Sequence, residues 1–355
     1  MTEQKSESEV LRVGITTGDI NGVGPELIIK ALEDKRMLDN MCPIIYGNTH
    51  LFKWLRKNLA SDEFQYNGIK EAGDARKKQI NVISVVEGEI MPDFGNPTKK
   101  AGEFAWKSLK AAVEDLASNK IDVLITSPIN KDTIQSADFA FPGHTEYLAS
   151  MSNVDEHLML LVAENLRVGV VTGHVPLKLV SENLTSDKII SKLRVMQESL
   201  VKDFGISRPR IAVLGLNPHA GDNGLLGSEE TDIIIPAIRE AKEADMLVFG
   251  PFGADGFFGS HSLNAFDGVL AMYHDQGLAP FKALAFDSGV NYTAGLPIVR
   301  TSPDHGTGYD LAGKGTASAN SLRQAIFLAI DIYNHRKAYR EYSANPLPIS
   351  TTSEK

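Results

Sequence analysis

The chain alternates short apolar runs with longer amphipathic segments for most of its length, and this pattern constrains the fold more than any other feature. Runs such as 121–126 are typical of buried strands, whereas 101–118 has the length and periodicity of a helix. Strands that alternate with helices predict an α/β fold with mostly parallel sheets flanked by helices. The runs 158–163 and 167–171 follow one another so closely that they predict an antiparallel hairpin.

The bulk composition narrows the class of protein. A length of 355 residues favours two lobes. A net charge of −9 argues against a nucleic-acid partner. No apolar stretch approaches the ~18 residues of a membrane span, and the polar residues 1–10 lack a signal sequence. A single cysteine, Cys42, excludes an internal disulfide, so we expect a cytoplasmic protein whose ends, 1–10 and 343–355, are flexible.

Three histidines come directly after predicted strands: His174 after 166–171, His219 after 211–216, and His274 after 269–272. Side chains just past the ends of parallel strands line the ligand crevice of an α/β fold. Three imidazoles in one crevice suit a divalent ion such as zinc that keeps an open coordination position. The alternative is that they are three unrelated polar side chains at the starts of loops.

A glycine loop, residues 18–26, joins the first predicted strand to the first predicted helix with the sequence Gly-Asp-Ile-Asn-Gly-Val-Gly-Pro-Glu. It is not a Walker loop, because no Gly-Lys-Ser/Thr follows, and its glycine spacing is not that of a Rossmann fingerprint. The sequence therefore leaves open whether this loop is a tight turn or a ligand-binding loop.

A second loop, residues 301–315, is more specific and is called the nucleotide loop below. Its sequence, Thr-Ser-Pro-Asp-His-Gly-Thr-Gly-Tyr-Asp-Leu-Ala-Gly-Lys-Gly, resembles the nucleotide-binding loop of isopropylmalate and isocitrate dehydrogenases. That resemblance implies a two-lobed fold with the active site in the interlobe cleft, and NAD contacts from His305, Gly306, Thr307 and Asp310. A carboxylate at Asp310 could accept from the ribose hydroxyls and would repel a 2′-phosphate, which favours NAD over NADP.

Seven motifs in order between residues 11 and 340 more closely resemble the 4-hydroxythreonine-4-phosphate dehydrogenase (PdxA) family. They are the glycine loop, Pro-Gly-His-Thr-Glu at 142–146, Gly-His-Val-Pro-Leu at 173–177, Leu-Asn-Pro-His-Ala-Gly at 216–221, Gly-Pro at 250–251, Tyr-His-Asp-Gln-Gly at 273–277 and Asp-His-Gly-Thr at 304–307. Two departures leave room for an altered substrate: Ile20-Asn21 replaces the family's usual Pro-Ala, and Gly173 replaces a threonine.

The resemblance implies roles for individual residues. The metal ligands would be His174, His219 and His274, with one divalent ion, zinc first and magnesium or cobalt as alternatives, shared between the subunits of a homodimer. The substrate contacts would be His144, Thr145, Lys282, Asn291 and Arg300. Lys282 and Arg300 are also cations near predicted strand ends in an acidic protein, which suits a phosphate. Their alternative is a surface salt bridge, and for His144 it is a turn histidine that caps a helix.

The resemblance also implies how the chain is divided. Residues 11–128 with 291–342 would form a nucleotide-side lobe, and 129–290 a lobe for metal, substrate and dimerisation. No linker rich in proline or serine separates the two, so we expect the lobes to interweave rather than to hang on a tether.

The implied activity is an NAD-dependent oxidation of 4-phosphooxy-L-threonine, followed by decarboxylation to 3-amino-2-oxopropyl phosphate in pyridoxal 5′-phosphate biosynthesis. The sequence does not single out the general base, for which Lys282 and Asp255 are candidates. One alternative is the same chemistry on phosphorylated threonate or erythronate. Another is a phosphate acyltransferase of similar fold, which would not need three metal histidines, and a third is a zinc-dependent binding protein.

Overall fold

The computed structural model describes residues 10–59 and 61–345, which form one continuous twelve-stranded sheet with helices packed on both faces. In these residues the strands are β1 (Leu11–Thr16), β2 (Met41–Gly47), β3 (Tyr66–Ile69), β4 (Ile80–Ser84), β5 (Val123–Thr126), β6 (Leu158–Ala163), β7 (Leu166–Thr172), β8 (Arg210–Leu214), β9 (Leu247–Phe252), β10 (Gly268–Tyr273), β11 (Val290–Ala294) and β12 (Arg300–Pro303). The helices are α1 (Gly24–Leu32), α2 (Thr49–Asn58), α3 (Lys99–Ala117), α4 (His144–Met151), α5 (Val180–Asn183), α6 (Ser186–Lys202), α7 (Ile235–Glu243), α8 (Ala254–Phe258), α9 (His274–Ala285) and α10 (Asn320–Ser343).

The strand order is β3-β4-β2-β1-β5-β12-β11-β6-β7-β10-β8-β9. Three neighbouring pairs in the middle are antiparallel, namely β12 with β11, β11 with β6, and β6 with β7. The pairs on either side of this centre are parallel. The predicted α/β fold with a mostly parallel sheet is therefore confirmed, and so is the predicted hairpin, which is β6 and β7.

The strands have continuous apolar sequences because both faces of the sheet are covered. In β2 every residue is buried, and successive side chains enter different cores. Ile45 packs in one hydrophobic cluster, whereas its neighbours Ile44 and Tyr46 pack in another. This is the two-residue periodicity of a strand whose two faces are both buried.

Several helices begin where capping chemistry predicts. Pro25 lies in the first turn of α1, where its missing N–H costs nothing. The side chains of Asn48, Thr98 and Thr185 each accept a backbone N–H at the starts of α2, α3 and α6. None of the described helices combines the length and apolar character that crossing a membrane requires.

Two helices differ from the prediction. The amphipathic sequence of 229–244 predicts a single helix, but the structure has a π-helical turn, Glu230–Ile234, followed by α7. Pro236 has no N–H to donate to the carbonyl of residue 232, so a regular α-helix cannot run through this point. The last helix, α10, extends to Ser343, so only 344–345 of the predicted flexible end are described beyond it. Residues 1–9 and 346–355 lie outside the described residues.

Residues of the two predicted lobes contribute strands to opposite halves of one sheet. Strands β1 to β5 and β12 occupy one half of the strand order, and β6 to β10 occupy the other. Strand β11 joins the halves through antiparallel pairs on both of its edges. The division into two lobes and the boundaries between them stay predictions.

Candidate functional site

A cavity of about 300 Å³ opens at the carboxyl ends of β5, β7 and β10 and is lined from both predicted lobes. All five predicted substrate-binding residues line it: His144, Thr145, Lys282, Asn291 and Arg300. A larger cavity of about 990 Å³ lies between α6 and α10, but none of the predicted site residues is in its wall. The smaller cavity is therefore the candidate active site.

Arg300 is a buried cation in the wall of this cavity, with 3% of its surface exposed. Its Nε and Nη2 donate to Thr126 Oγ1 at 2.9 and 2.7 Å, and its Nη1 donates to Thr293 Oγ1 at 3.4 Å. Burial lowers the pKa of Arg300 to about 10, partly opposed by Glu146, so it remains charged at neutral pH. Among the described residues no carboxylate forms a salt bridge with it. A buried, unpaired guanidinium with unused donors indicates a site for an anion.

Four further buried polar atoms in the cavity wall have no hydrogen-bond partner within the described residues. They are Ser127 Oγ, His144 Nε2, Asn291 Oδ1 and His305 Nε2. Buried polar atoms in proteins are almost always hydrogen-bonded, so this concentration in one cavity indicates a polar ligand.

His144 is the first residue of α4, and Gly143 is the residue that caps this helix. The alternative interpretation of His144 as the capping residue is therefore wrong. Burial lowers the pKa of His144 well below its usual value, and the charges of Arg300 and Lys131 lower it further. The imidazole is consequently neutral, with one nitrogen that donates and one that accepts. Next to it, Thr145 Oγ1 lies 3.5 Å from Thr293 Oγ1.

Lys282, on α9, forms an ion pair at the cavity wall. Its Nζ lies 3.3 Å from Asp304 Oδ1 and also donates to the Asp304 carbonyl at 3.3 Å. Burial raises the pKa of Asp304, while the neighbouring Lys282, His305 and His274 act in the opposite direction. The alternative of a surface salt bridge does not hold for Arg300, which is buried and has no ion pair among the described residues. It does hold in part for Lys282, whose ion pair with Asp304 is accompanied by a side chain that is 40% exposed, although Lys282 also lines the cavity.

His174 and His274 lie side by side, with ring centroids 5.6 Å apart, and both line the cavity. They follow β7 and β10, which are adjacent and parallel. His274 Nδ1 is 2.7 Å from Asp275 Oδ1, an arrangement that leaves Nε2 free for an ion. Burial, and then Lys131 and His274, lower the pKa of His174 and favour the neutral form that a metal requires. These two residues therefore suit a metal site.

His219 is placed differently. It follows β8, which is paired with β10, so the three histidines do come after three neighbouring parallel strands. However, His219 is exposed and is not in the cavity wall. The residues 219–223 all have positive φ, and Glu230 holds this turn by accepting from the Asn217 N–H at 2.7 Å and Nδ2 at 2.9 Å. Within the described part of one chain, no three residues of the types His, Cys, Asp and Glu are grouped as a metal site.

Asp255, one of the two predicted general bases, lies next to His219 and not in the cavity wall. It is exposed on the short helix α8 and does not line the cavity. A Cβ built on Gly253 would lie 3.5 Å from Asp255 Oδ1 and 3.6 Å from His219 Cα, so the two residues are near neighbours. Of the two candidates, only Lys282 lies in the cavity of the same chain.

The nucleotide loop begins at the cavity and continues along the glycine loop. His305 and Gly306 line the cavity, whereas Asp310 is exposed farther along. The Thr307 carbonyl accepts the Val23 N–H at 2.8 Å. Position 22 requires glycine, because the Cβ of any other residue would lie 2.5 Å from the same Thr307 carbonyl oxygen. The glycine loop, whose role the sequence left open, thus supports the nucleotide loop.

The sequence motifs assigned no role to several polar residues of the cavity wall, among them Ser127, Lys131, Glu146 and Asp304. Ser127 and Lys131 follow the carboxyl end of β5, so the strand-end rule that found the histidines would also have found them. No sequence signal marks Thr126 and Thr293, which hold Arg300, because their contacts depend on the pairing of β12 with β5 and β11.

Comparison with known proteins adds independent information. The family model described as "Pyridoxal phosphate biosynthetic protein PdxA" matches residues 39–329. A 4-hydroxythreonine-4-phosphate dehydrogenase of Bacteroides thetaiotaomicron is 49% identical over 96% of this chain and 94% of its own length. A protein of Oceanobacillus iheyensis, provisionally named a D-threonate 4-phosphate dehydrogenase, is 38% identical over 90% of this chain and 97% of its own.

A solved structure is similar throughout. The crystal structure of 4-hydroxythreonine-4-phosphate dehydrogenase from Klebsiella pneumoniae matches with a TM-score of 0.80 and 34% identity. The match covers 92% of this chain and 99% of that one. The likeness therefore includes both halves of the sheet and the cavity between them.

Proposed function

The chain belongs to the PdxA family of pyridoxal phosphate biosynthetic proteins, and we propose that it is a 4-hydroxythreonine-4-phosphate dehydrogenase. It oxidises 4-phosphooxy-L-threonine with a nicotinamide cofactor, and the product loses carbon dioxide to give 3-amino-2-oxopropyl phosphate. The observation that carries this proposal is the small cavity in which Arg300 is buried without a carboxylate partner in the part of the chain that the structure describes.

Arg300 and the start of α4 would receive the anionic part of the substrate. A guanidinium can donate two parallel hydrogen bonds to a phosphate, and Thr126 and Thr293 fix its orientation beforehand. The first turn of α4 adds N–H groups at His144 and Thr145 that have no partner within the helix, which favours negative charge. Asn291 Oδ1 is an acceptor that receives no hydrogen bond from residues 10–59 or 61–345, and the amine of the proposed substrate would supply a donor.

His174 and His274 would hold one divalent ion, and His219 of the partner subunit would complete the site in a homodimer. Zinc is the first choice for three imidazole ligands, with magnesium and cobalt as alternatives. A divalent ion supplies Lewis acidity, which lowers the pKa of a hydroxyl group and stabilises negative charge on oxygen. The separation of His219 from the other two histidines supports a shared site, because one chain groups only two of them.

Lys282 is the residue that we propose for proton transfer. It lines the cavity, and its Nζ is already next to Asp304, whose raised pKa makes it a stronger proton acceptor than an ordinary carboxylate. Asp255 lies with His219 outside the cavity of its own chain, so it would reach a reacting group only in a dimer. A cytoplasmic location also stays a prediction.

The enzyme is expected to prefer NAD to NADP because Asp310 would face the 2′-phosphate. Asp310 is exposed, so water screens the repulsion, and we expect a preference of about tenfold rather than a larger one. Asp310→Lys removes the repulsion and adds a cation, which should shift the ratio of kcat/KM values toward NADP. Asp62→Lys, on the exposed loop before β3, makes the same charge change elsewhere and should leave the ratio alone. An unchanged ratio in Asp310→Lys would remove Asp310 from the cofactor site.

The nearest alternative is the same chemistry on D-threonate 4-phosphate, as in the name of the Oceanobacillus relative. The two substrates differ in the group beside the reacting hydroxyl, which is an amine in one and a hydroxyl in the other. An absorbance assay of NADH formation with each phosphate, NAD and a divalent ion separates the two, and kcat/KM should be higher for 4-phosphooxy-L-threonine. Absence of NADH with every four-carbon phosphate would overturn the proposal.

A further inference from the structure

Asn21, at one of the two positions where the sequence departs from the family motif, is almost fully buried with 2% of its surface exposed. Its side chain holds the segment 93–98, which is called the support loop here. Asn21 Nδ2 donates to the Asn96 carbonyl at 2.7 Å and to Thr98 Oγ1 at 3.1 Å, and Oδ1 accepts the Asp93 N–H at 2.8 Å. The Asn21 carbonyl accepts the Gly95 N–H at 2.9 Å. An alanine here could make only the last of these contacts.

The support loop packs directly against the nucleotide loop. A Cβ on Gly95 would lie 3.2 Å from the Tyr309 carbonyl oxygen, and one on Gly313 would lie 2.4 Å from Phe94 Cδ2. Contacts this close leave little freedom for either loop to shift alone. Phe94 is in turn packed against Trp54 of α2, with ring centroids 6.0 Å apart.

The nucleotide loop is also tied to the glycine loop that carries Asn21. Tyr309 Oη donates to Asp19 Oδ2 at 2.7 Å, and Asp19 Oδ1 accepts the Asn21 N–H at 2.9 Å. Asp19 is buried, and burial raises its pKa. Asn21 therefore lies where the glycine loop, the support loop and the nucleotide loop meet.

We propose that Asn21 is a positioning residue that fixes the nucleotide loop through the support loop, and that it acts on cofactor binding rather than on the chemical step. The inference rests on the proposed function, in which the nucleotide loop holds the cofactor. Asn21 does not line the cavity that contains Arg300 and Lys282, so its loss should not disturb substrate binding directly.

Asn21→Ala in the full-length enzyme should raise the KM for NAD roughly tenfold, in the range seen for residues that orient a ligand-binding group from behind. The kcat and the KM for the phosphorylated substrate should stay within about twofold of wild type, because the reacting atoms are held by other elements. Phe94→Ala removes a contact between the support loop and the nucleotide loop, and it should also raise the KM for NAD without changing kcat. This second variant keeps the test decisive if Asn21→Ala does not fold.

Asn81→Ala is the matched control. Asn81 is also a buried asparagine whose Oδ1 accepts a backbone N–H, from Arg76 at 2.9 Å, and a side-chain N–H, from Asn67 Nδ2 at 3.4 Å. Its Nδ2 donates to carbonyls, including that of Gln79 at 3.0 Å. It lies at the amino end of β4, whereas the candidate site lies at the carboxyl ends of the parallel strands. Its replacement should lower the melting temperature as Asn21→Ala does, without changing the KM for NAD.

Hydrogen exchange of residues 305–315 without cofactor provides a readout that does not need activity. It should be faster in Asn21→Ala and Phe94→Ala than in wild type and Asn81→Ala. Equal exchange in all four proteins, or an equal rise in KM for NAD in Asn21→Ala and Asn81→Ala, would overturn the inference. If the wild-type protein makes no NADH, the proposed function fails, whereas the exchange data still decide whether Asn21 orders the nucleotide loop.

Discussion

Replacing His219 or His274 by alanine is expected to abolish turnover, and mixing the two inactive variants is expected to restore part of it. Each variant alone lacks one of three proposed metal ligands, so activity should fall more than about a hundredfold while the fold persists. In a mixed dimer, one site combines the intact His174 and His274 of one subunit with the intact His219 of the other. With random pairing of subunits, about one quarter of wild-type activity should return.

The matched control mixes His174→Ala with His274→Ala. The structure places these two histidines on the same chain, with ring centroids 5.6 Å apart, so every mixed dimer would contain two damaged sites and activity should not return. Bound divalent metal, measured in the same samples, should follow activity. Two results would disprove the three-histidine site: full metal content in His219→Ala, or a loss of activity smaller than about tenfold. Recovery in both mixtures, or in neither, would disprove the sharing between subunits.

Arg300→Ala is expected to raise the KM for the phosphorylated substrate much more than the KM for NAD. A hydrogen bond to a charged group contributes about 1.5–3 kcal/mol, which corresponds to roughly a ten- to hundredfold change. The selectivity follows from the structure, because Arg300 is in the cavity wall and has no carboxylate partner among the described residues. Arg300→Lys should be intermediate, since it keeps a charge but loses the planar arrangement of donors.

Arg336→Lys is the control for replacing an arginine whose charge is already paired. Arg336 Nε lies 2.6 Å from Asp203 Oδ1, and its Nη2 donates to Tyr292 Oη at 2.9 Å, so its charge is already paired. Its replacement should lower the melting temperature without a selective change in either KM. If Arg300→Ala changed the KM for NAD and the KM for substrate equally, Arg300 would not be the phosphate ligand.

The pattern of the sequence was sufficient to predict the fold class and most of its elements. A strand covered on both faces must be apolar at nearly every position, so β2 and β5 are visible in the sequence without knowledge of their neighbours. Helix starts are visible for a similar reason, because a capping residue such as Thr98 acts within one turn. The irregular segment before α7 was missed because a local pattern does not reveal how a helix absorbs Pro236.

The motifs also predicted which residues would surround the substrate, and the structure brings all five of them to one cavity. They did not predict how Arg300 is held, because Thr126 and Thr293 reach it only through the pairing of separate strands. Nor did they predict that Asn21 would hold the support loop, which lies more than 70 residues farther along the chain.

The sequence by itself determined that this chain is an α/β protein whose histidines, cations and glycines come at the ends of strands, because periodicity and turn chemistry are local properties. Only the tertiary structure decided which of them meet. It placed His174 beside His274 and left His219 outside the cavity, although all three follow neighbouring strands. The reason is physical: the direction of a side chain beyond a strand end is set by the turn that follows, and the turn after β8 is left-handed from residue 219 to 223.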